Sequence, residues 1–373
     1  MKALLFFIAT ALCATQSLQA GEEDGYKFKT IASQKTTPVK DQGSTGTCWC
    51  FATTSFVESE LLRQGKGEYD LSEMFIVRQK YMNQLKDNFQ RRGKGSLSEG
   101  SITSSWVSAF NQAGIVPEKA YAGITNHSGV HNHKEMTTFM ASIAEDAVKM
   151  KESSERYNLL LNSLFDIYLG KVPESFMYEG KSYTPQSFAK MLGINTSDFV
   201  SITSFTHKPF YRQMEIEVPD NWEHDRMYNV TLTEMIDAMT HALTHGFTIC
   251  WDGDVSEEGF SHQKGIAINP EETGNGASNF KKPAKEIDVT PEIRQQGYET
   301  FQTTDDHLMH VTGLAEDQNG TKYFITKNSW GADSNKNGGY LNMSESYVKA
   351  KTIYVMMHKD ALPDALKEKL GIK

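Results

Sequence analysis

The sequence predicts an α+β fold in which a helical lobe precedes a β-sheet lobe, with a mostly helical insertion between them. Apolar residues recur at helical spacing up to about residue 125. Beyond about residue 246, β-branched and aromatic runs alternate with turn signals, as in strands. Two lobes of different texture leave a cleft between them, which is where binding sites usually lie.

Composition limits the class of protein and of partner. The chain has 373 residues, of which 39% are hydrophobic and 23% charged, which is typical of a globular protein and not of a disordered, collagen-like or membrane-embedded one. Its formal net charge of −9 would repel phosphate backbones, so we expect no nucleic-acid partner.

Residues 1–20 have the pattern of a secretory signal peptide. Lys2 precedes a short apolar run, and Ala20 offers a small residue at the expected cleavage site. The run is too short to span a bilayer, so we expect export to the periplasm or the extracellular space, with residues 21–373 as the mature domain. A lipoprotein anchor on Cys13 is the alternative.

The mature chain divides by texture into a helical lobe (about 41–125), an insertion (about 126–230), a β lobe (about 231–360) and a C-terminal helix or tail (361–373). The predicted helices are Cys48 to Gly65, Ser72 to Leu85, Ile102 to Gly114, Glu135–Leu169, Thr184 to Gly193 and Leu232–Thr244. The predicted strands are Phe247–Trp251, His310–Ala315, Lys322–Thr326 and Thr352–Met357.

The most informative segment is Asp41–Ala52, in which glycines and hydroxyl residues deliver Cys48 to a helix N-terminus. The free amides and positive dipole end there favour a thiolate, the nucleophilic form of cysteine. Gln42 can place its side-chain amide beside the Cys48 N–H, giving two donors for an oxyanion. The alternative is a buried cysteine that only packs in the core.

A second group of residues favours catalysis. His307 at the start of one predicted strand and Asn328 at the end of the next can meet as neighbours, so a base and the group that orients it would lie together. Trp330 would shield the bond between them from water. His310 is the rival histidine.

These residues resemble the papain superfamily of cysteine peptidases. The match lies in Gln42, Cys48-Trp49, Asp306-His307 and Asn328-Ser329-Trp330-Gly331. The sequence is more similar to the bleomycin hydrolase and aminopeptidase C branch, because extra residues follow Tyr121, Asn229-Val230-Thr231 opens a helix and Trp251-Asp252-Gly253-Asp254-Val255 follows that helix.

The resemblance implies a papain-like fold and a set of roles. Cys48 would be the nucleophile, His307 the base and then the acid, Asn328 the orienting group and Gln42 the oxyanion donor. Glu99, Gly100 and Ser101 occupy the place of the stretch that lies beside the substrate backbone. No metal or organic cofactor is implied, and we interpret the stretch that contains His127, His131 and His133 as a solvated loop.

The resemblance further implies an aminopeptidase that acts on peptides, often as a hexamer. In that branch a C-terminal tail enters the cleft, and the residues Leu362–Lys373 do not resemble its ending. An endopeptidase with an open cleft therefore stays an alternative, as does a non-catalytic binding module. A Cys50–Cys250 disulfide also stays open.

Overall fold

A computed structural model describes residues 25–272, 274 and 280–373. The predicted signal peptide lies outside the described residues. The helices are α1 (Cys48–Arg63), α2 (Glu73–Gln90), α3 (Thr103–Ala113), α4 (Lys134–Met150), α5 (Glu155–Leu169), α6 (Pro185–Leu192), α7 (Leu232–Thr244), α8 (Pro291–Glu299), α9 (Glu345–Lys351) and α10 (Asp364–Leu370). The strands are β1 (Lys29–Ser33), β2 (Phe176–Tyr178), β3 (Lys181–Tyr183), β4 (Phe199–Thr203), β5 (Arg212–Glu215), β6 (Arg226–Asn229), β7 (Ile249–Gly253), β8 (Phe260–Ser261), β9 (Ile266–Ala267), β10 (His307–Glu316), β11 (Lys322–Lys327), β12 (Tyr340–Ser344) and β13 (Thr352–His358).

Helix α1 is the centre of the helical lobe, and almost every residue along it is buried between the other helices and the sheet. Helix α2 begins after Ser72, whose hydroxyl accepts a hydrogen bond from the Phe75 N–H at 3.1 Å. Helix α3 ends at Gly114, whose φ of 81° suits glycine. The three helices form at the predicted places, which sets the N-terminus of α1 at Cys48.

Helices α4, α5 and α6 occupy the predicted insertion. Helix α5 is anchored on α2 by the stacked rings of Phe165 and Tyr81, whose centroids lie 6.1 Å apart. Thr184 and Ser187 form a capping box at the start of α6.

The large sheet has the strand order β5-β6-β4-β13-β7-β10-β11-β12-β9-β8, and β1 pairs with β10. It therefore takes strands β4, β5 and β6 from the stretch expected to be mostly helical insertion. The physical reason is the pairing of β4 with β13, which buries Val200 and Ile202 in the core of the β lobe. Pairing between strands that are far apart in the sequence has no local sequence pattern from which it could be predicted.

The C-terminal helix α10 packs against the β lobe. Leu366 and Leu370 are buried in its core, and Lys369 forms an ion pair with Glu234 of α7. In the described part of the chain, no helix is both long and apolar enough to cross a membrane.

Candidate active site

The Cys48 side chain lies at the first position of α1, at the end of a tight turn. The turn is held by the Ser44 N–H, which donates to the His131 carbonyl at 2.8 Å. Gly43 has a φ of 60°, and a Cβ there would lie 2.5 Å from the His131 carbonyl oxygen. The turn thus needs glycine, and it leaves Cys48 8% exposed at the lobe boundary.

The electrostatic state of Cys48 differs from the one expected. The backbone N–H groups of Leu308 and Trp49 donate to its sulfur and favour the thiolate, yet burial outweighs them and raises the pKa of Cys48 to about 12. The nearby carboxylates of Asp305 and Asp220 raise this pKa further. Helix position alone therefore does not favour a thiolate here, and burial favours the neutral thiol.

His307 and Asn328 meet as the sequence predicts. His307 begins β10 and Asn328 directly follows β11, so both lie at one end of an antiparallel strand pair. The His307 Nε2 donates to the Asn328 Oδ1 at 2.8 Å, which leaves Nδ1 as the free basic nitrogen. The Trp330 ring lies against the imidazole with centroids 4.9 Å apart. Burial lowers the pKa of His307 to about 4, so the ring is neutral at neutral pH.

The Cys48 thiol is linked to the His307 segment through Leu308, the residue that follows His307. The Cys48 sulfur accepts from the N–H of Leu308, the residue after His307. Within the described residues, the sulfur makes no hydrogen bond to the His307 ring itself. Cys48 begins α1, His307 begins β10 and these two elements pack against each other, which suits a nucleophile and its general base.

His262 is a site residue that the sequence analysis missed. The Asn328 Nδ2 donates to its Nδ1 at 3.2 Å, and its Nε2 lies 2.7 Å from the Ser334 Oγ. The His262 ring also makes an edge contact with Trp330. A lone histidine between two short strands carries no sequence signal, because its role depends on how the β8–β9 hairpin folds back over β12.

The rival histidine, His310, lies elsewhere. It is 1% exposed, and its Nδ1 lies 2.9 Å from the Ser55 hydroxyl inside the interface between α1 and β10. Among the described residues the His310 Nε2 has no hydrogen-bond partner, whereas Asn328 bonds to His307, so His310 is not the histidine that Asn328 orients and its role is in the core.

Gln42 is held rigidly. Its Oε1 accepts from the Ser329 hydroxyl at 2.6 Å, and its Nε2 donates one hydrogen to the Thr45 carbonyl at 2.7 Å. An amide nitrogen carries two hydrogens, so one remains for a ligand. The Cys48 N–H is the first of its helix and has no intrahelical acceptor. These two donors are available for an oxyanion.

The Lys80 side chain holds the backbone of the stretch that contains Glu99, Gly100 and Ser101. The Lys80 ammonium is fully buried and donates to the carbonyls of Ser98, Glu99 and Gly100 at 2.8, 3.1 and 2.7 Å. Burial lowers the pKa of Lys80 to about 7. The Trp49 indole N–H also donates to the Glu99 carbonyl, which ties this stretch to the residue after Cys48.

The β5–β6 loop (residues 216–225) packs against the same stretch. A side chain at Gly100 would collide with the Asp220 carboxylate, whose Oδ2 lies 2.0 Å from the Cβ position. The Trp222 indole N–H donates to the Ser101 hydroxyl at 3.0 Å. On the other lobe, the Tyr298 hydroxyl of α8 donates to the Glu217 carbonyl at 3.0 Å. The loop therefore bridges the two lobes at one end of the cleft.

Cys50 and Cys250, the described cysteines besides Cys48, do not bridge. Cys50 and Cys250 are both free and fully buried; the Cys50 thiol donates to the Glu73 carbonyl, and Cys250 lies 3.8 Å from the Thr53 hydroxyl. The disulfide that the sequence left open is thus absent between these described cysteines.

The histidine-rich stretch is only in part the solvated loop that we expected, because His127 is exposed but His131 and His133 are not. His131 and His133 are 9% and 2% exposed, because this segment packs against the Gly43–Thr45 turn and against Tyr81. Their role is to support the turn that carries Cys48. Over the residues that the structure describes, no group of three or more His, Cys, Asp or Glu side chains has the arrangement of a metal site.

The sequence and the structure were compared with those of known proteins. A sequence model of the Peptidase C1-like family matches residues 98–372, which include His307 and Asn328 and begin after Cys48. Aminopeptidase C of Lactobacillus helveticus is 22% identical over 88% of this chain and 81% of its own length. Mitochondrial cysteine proteinase 1 of Saccharomyces cerevisiae is 23% identical over 93% of this chain and 80% of its own. The crystal structure of PepW from Lactobacillus rhamnosis HN001 covers 92% of this chain and 84% of that chain with a TM-score of 0.70 and 18% identity.

Proposed function

The chain belongs to the Peptidase C1-like family and is a cysteine peptidase with a papain-like fold, and from this premise we propose that it is an exported aminopeptidase whose nucleophile is Cys48. The proposal joins two separate steps. One assigns the peptidase chemistry to named residues, and the other assigns the preference for free amino termini.

In the proposed chemistry, the Cys48 sulfur attacks the carbonyl carbon of the peptide bond while the His307 Nδ1 takes the thiol proton. Because both groups are neutral before attack, this proton moves in the same step that forms the carbon–sulfur bond. Gln42 Nε2 and the Cys48 N–H hold the oxyanion. His307 then protonates the leaving amine, and a water that it deprotonates hydrolyses the thioester.

Asn328 serves this chemistry by accepting from the His307 Nε2 at 2.8 Å. The bond holds the tautomer in which Nδ1 is the base, and it stabilises the imidazolium that forms during attack. Trp330 excludes water from that bond.

The observation that carries the aminopeptidase proposal is the position of Asp220. Its carboxylate lies against Gly100, in the stretch beside which we expect the substrate backbone to run. The loop that holds Asp220 contacts both lobes, through Trp222 and through the Tyr298–Glu217 bond. Such a barrier leaves room for the first residues of a peptide and obstructs a longer chain. The aminopeptidase C relative supports the same proposal.

A direct experiment compares fluorogenic peptides with free and with acetyl-blocked amino termini, using mature protein under reducing conditions. Cleavage of only the free-amino peptides supports the aminopeptidase. Equal or faster cleavage of the blocked peptides contradicts it and favours an endopeptidase with an open cleft. Cys48→Ala is the control, and residual cleavage by this variant would refute the assignment of the nucleophile.

Export is a third part of the proposal, and it rests on the signal-peptide pattern of residues 1–20. We expect the mature protein to begin at Gly21 in the periplasm or the medium. Amino-terminal sequencing of the fractionated protein tests this, and an intact Met1 in the cytoplasm would contradict it.

A further inference from the structure

A group of carboxyl side chains beside Cys48 is not explained by the chemistry described above. Asp252 lies on β7 directly opposite Leu308 of β10, the residue whose N–H contacts the Cys48 sulfur. Asp305 lies two residues before His307, and Asp220 reaches in from the β5–β6 loop. Both Asp305 and Asp220 are close enough to Cys48 to raise its pKa.

Asp252 is the most unusual member. Its side chain is 0% exposed, yet neither of its carboxyl oxygens accepts from an N–H or hydroxyl donor, and the same holds for Oδ2 of Asp305; the two carboxyls lie within hydrogen-bond reach of each other. A buried carboxyl without a donor costs free energy comparable to a lost charged hydrogen bond. Native proteins seldom leave a buried polar group without a hydrogen-bond donor unless the group has a function.

A neighbouring pair shows that the fold can satisfy carboxyls at this place. Asp254 Oδ1 accepts from the Ser256 N–H at 2.9 Å, and its Oδ2 accepts from the Thr304 N–H at 3.2 Å. Asp306 Oδ2 accepts from the N–H groups of Val255 and Ser256 at 3.3 and 3.2 Å. The Asp252–Asp305 pair, in which Asp305 directly precedes Asp306 and Asp252 lies two residues before Asp254, receives no such donors.

We propose that Asp252, Asp305 and Asp220 form a subsite that binds a cationic group of the substrate, and that this group is the α-ammonium of the peptide. Asp252 forms the floor of the subsite, while the partly exposed Asp305 and Asp220 form its rim. An ammonium carries three N–H donors, which match the unpartnered oxygens. The inference rests on the proposed aminopeptidase and gives it a site of recognition.

The charges around the subsite suit a cation. Burial first, and then the Asp220 charge, raises the pKa of Asp305 to about 7, and burial together with Asp305 holds the pKa of Asp252 well above its usual value. The facing cation is Lys80, whose ammonium is already committed to three backbone carbonyls. A proton shared by Asp252 and Asp305 therefore takes the place that a substrate cation would fill.

Binding can be measured apart from catalysis. In the full chain carrying Cys48→Ala, calorimetry with leucinamide should give binding, and N-acetyl-leucinamide should bind about 10- to 100-fold more weakly because it lacks the charged donor. Adding Asp252→Asn or Asp305→Asn should weaken leucinamide binding by about 10- to 100-fold and leave N-acetyl-leucinamide unchanged. Asp237→Asn, which removes an exposed carboxylate of α7, is the charge-matched control and should have no effect.

The other source of a cation is a basic side chain, and N-acetyl-argininamide distinguishes it. If this probe binds through Asp252 and leucinamide does not, the subsite is cationic but reads a side chain, which overturns the α-ammonium assignment. Equal binding of all probes by the wild-type residues and by both Asp→Asn variants overturns the subsite itself.

The outcome is separable from that of the proposed function. Wild-type enzyme that cleaves blocked neutral peptides fails as an aminopeptidase, whatever the calorimetry gives. A second outcome is that the wild-type enzyme needs a free amino terminus and that the Asp252→Asn and Asp305→Asn variants keep this requirement with the same kcat/KM. That outcome supports the aminopeptidase and refutes this site of recognition.

Discussion

The Asn328 side-chain amide donates to the His262 Nδ1 at 3.2 Å and, through its opposite end, accepts from the His307 Nε2 at 2.8 Å. This fixes which end of the amide faces His307. If the amide turned over, its NH₂ would face an imidazole N–H and the bond that orients the base would be lost. His262 is thus a positioning residue for Asn328, and through it for His307.

The first prediction concerns this positioning. His262→Ala should lower kcat by about 10- to 100-fold, the range that small displacements of a catalytic group produce, and leave KM nearly unchanged. His262→Gln should recover most of the rate, because its carbonyl can accept from Asn328. Steady-state kinetics on a free-amino peptide measures both. Equal losses in the two variants, or a loss confined to KM, would contradict the positioning role.

A second prediction follows from the burial of His307. Its pKa is lowered to about 4, and only the neutral ring can act as a base, so kcat/KM should rise with pH along an acid limb near that value. Trp330→Ala exposes the ring to water and should move the limb upward, toward the ordinary histidine value of about 6.5. A pH–rate profile of both enzymes measures the shift, and an unmoved limb would show that Trp330 does not keep the ring dry.

The position of Cys48, His307, Asn328 and Gln42 could be predicted from the sequence, because each lies at the end of a helix or strand, or in a turn, that has a strong local signal. Asp220, Asp305 and His262 could not, since they reach the site through loops and strand pairings between distant parts of the chain. Asp252 did carry a signal, a charged residue inside an otherwise apolar strand. The low exposure that raises the pKa of Cys48 is likewise a product of tertiary packing.

The third prediction concerns the thiol. The Asp305 carboxylate contributes to the raised pKa of Cys48, so Asp305→Asn should lower that pKa and shift the alkylation of Cys48 by iodoacetamide to lower pH. At about pH 8, where the thiolate fraction limits the rate, we expect alkylation to be a few-fold faster than in the wild type.

Cys50 and Cys250 are both 0% exposed, so mass spectrometry should find the label on Cys48. Asp237→Asn serves as the control for an overall change in charge. An unchanged or slower reaction in Asp305→Asn would show that the two side chains do not interact.

The last prediction concerns the buried ion network beneath α1. The Lys40 ammonium lies 2.9 Å from the Glu73 Oε1 and 3.3 Å from the Glu58 Oε1, and these carboxylates are 3% and 1% exposed. Removing the cation leaves the buried Glu58 carboxylate without its ion-pair partner and takes a donor from Glu73, so Lys40→Met should lower the free energy of unfolding by about 3–5 kcal/mol at neutral pH. Lys349→Met, which breaks a partly exposed i,i+4 pair with Glu345 on α9, should cost only about 0.3–0.5 kcal/mol.

The loss in Lys40→Met should also depend on pH. Burial raises the pKa of Glu73 to about 8, above its value in the unfolded chain, so the folded state holds a proton that the unfolded state releases. Stability from such a group is present at low pH and is lost as the pH rises through the folded pKa. Without Lys40 the Glu73 charge that develops toward pH 8 lacks its ion-pair partner, so the loss of stability should be smaller at about pH 5 than at about pH 8. Urea unfolding at both values tests this, and a deficit no larger than that of Lys349→Met, or one that shrinks as the pH rises, would contradict the network.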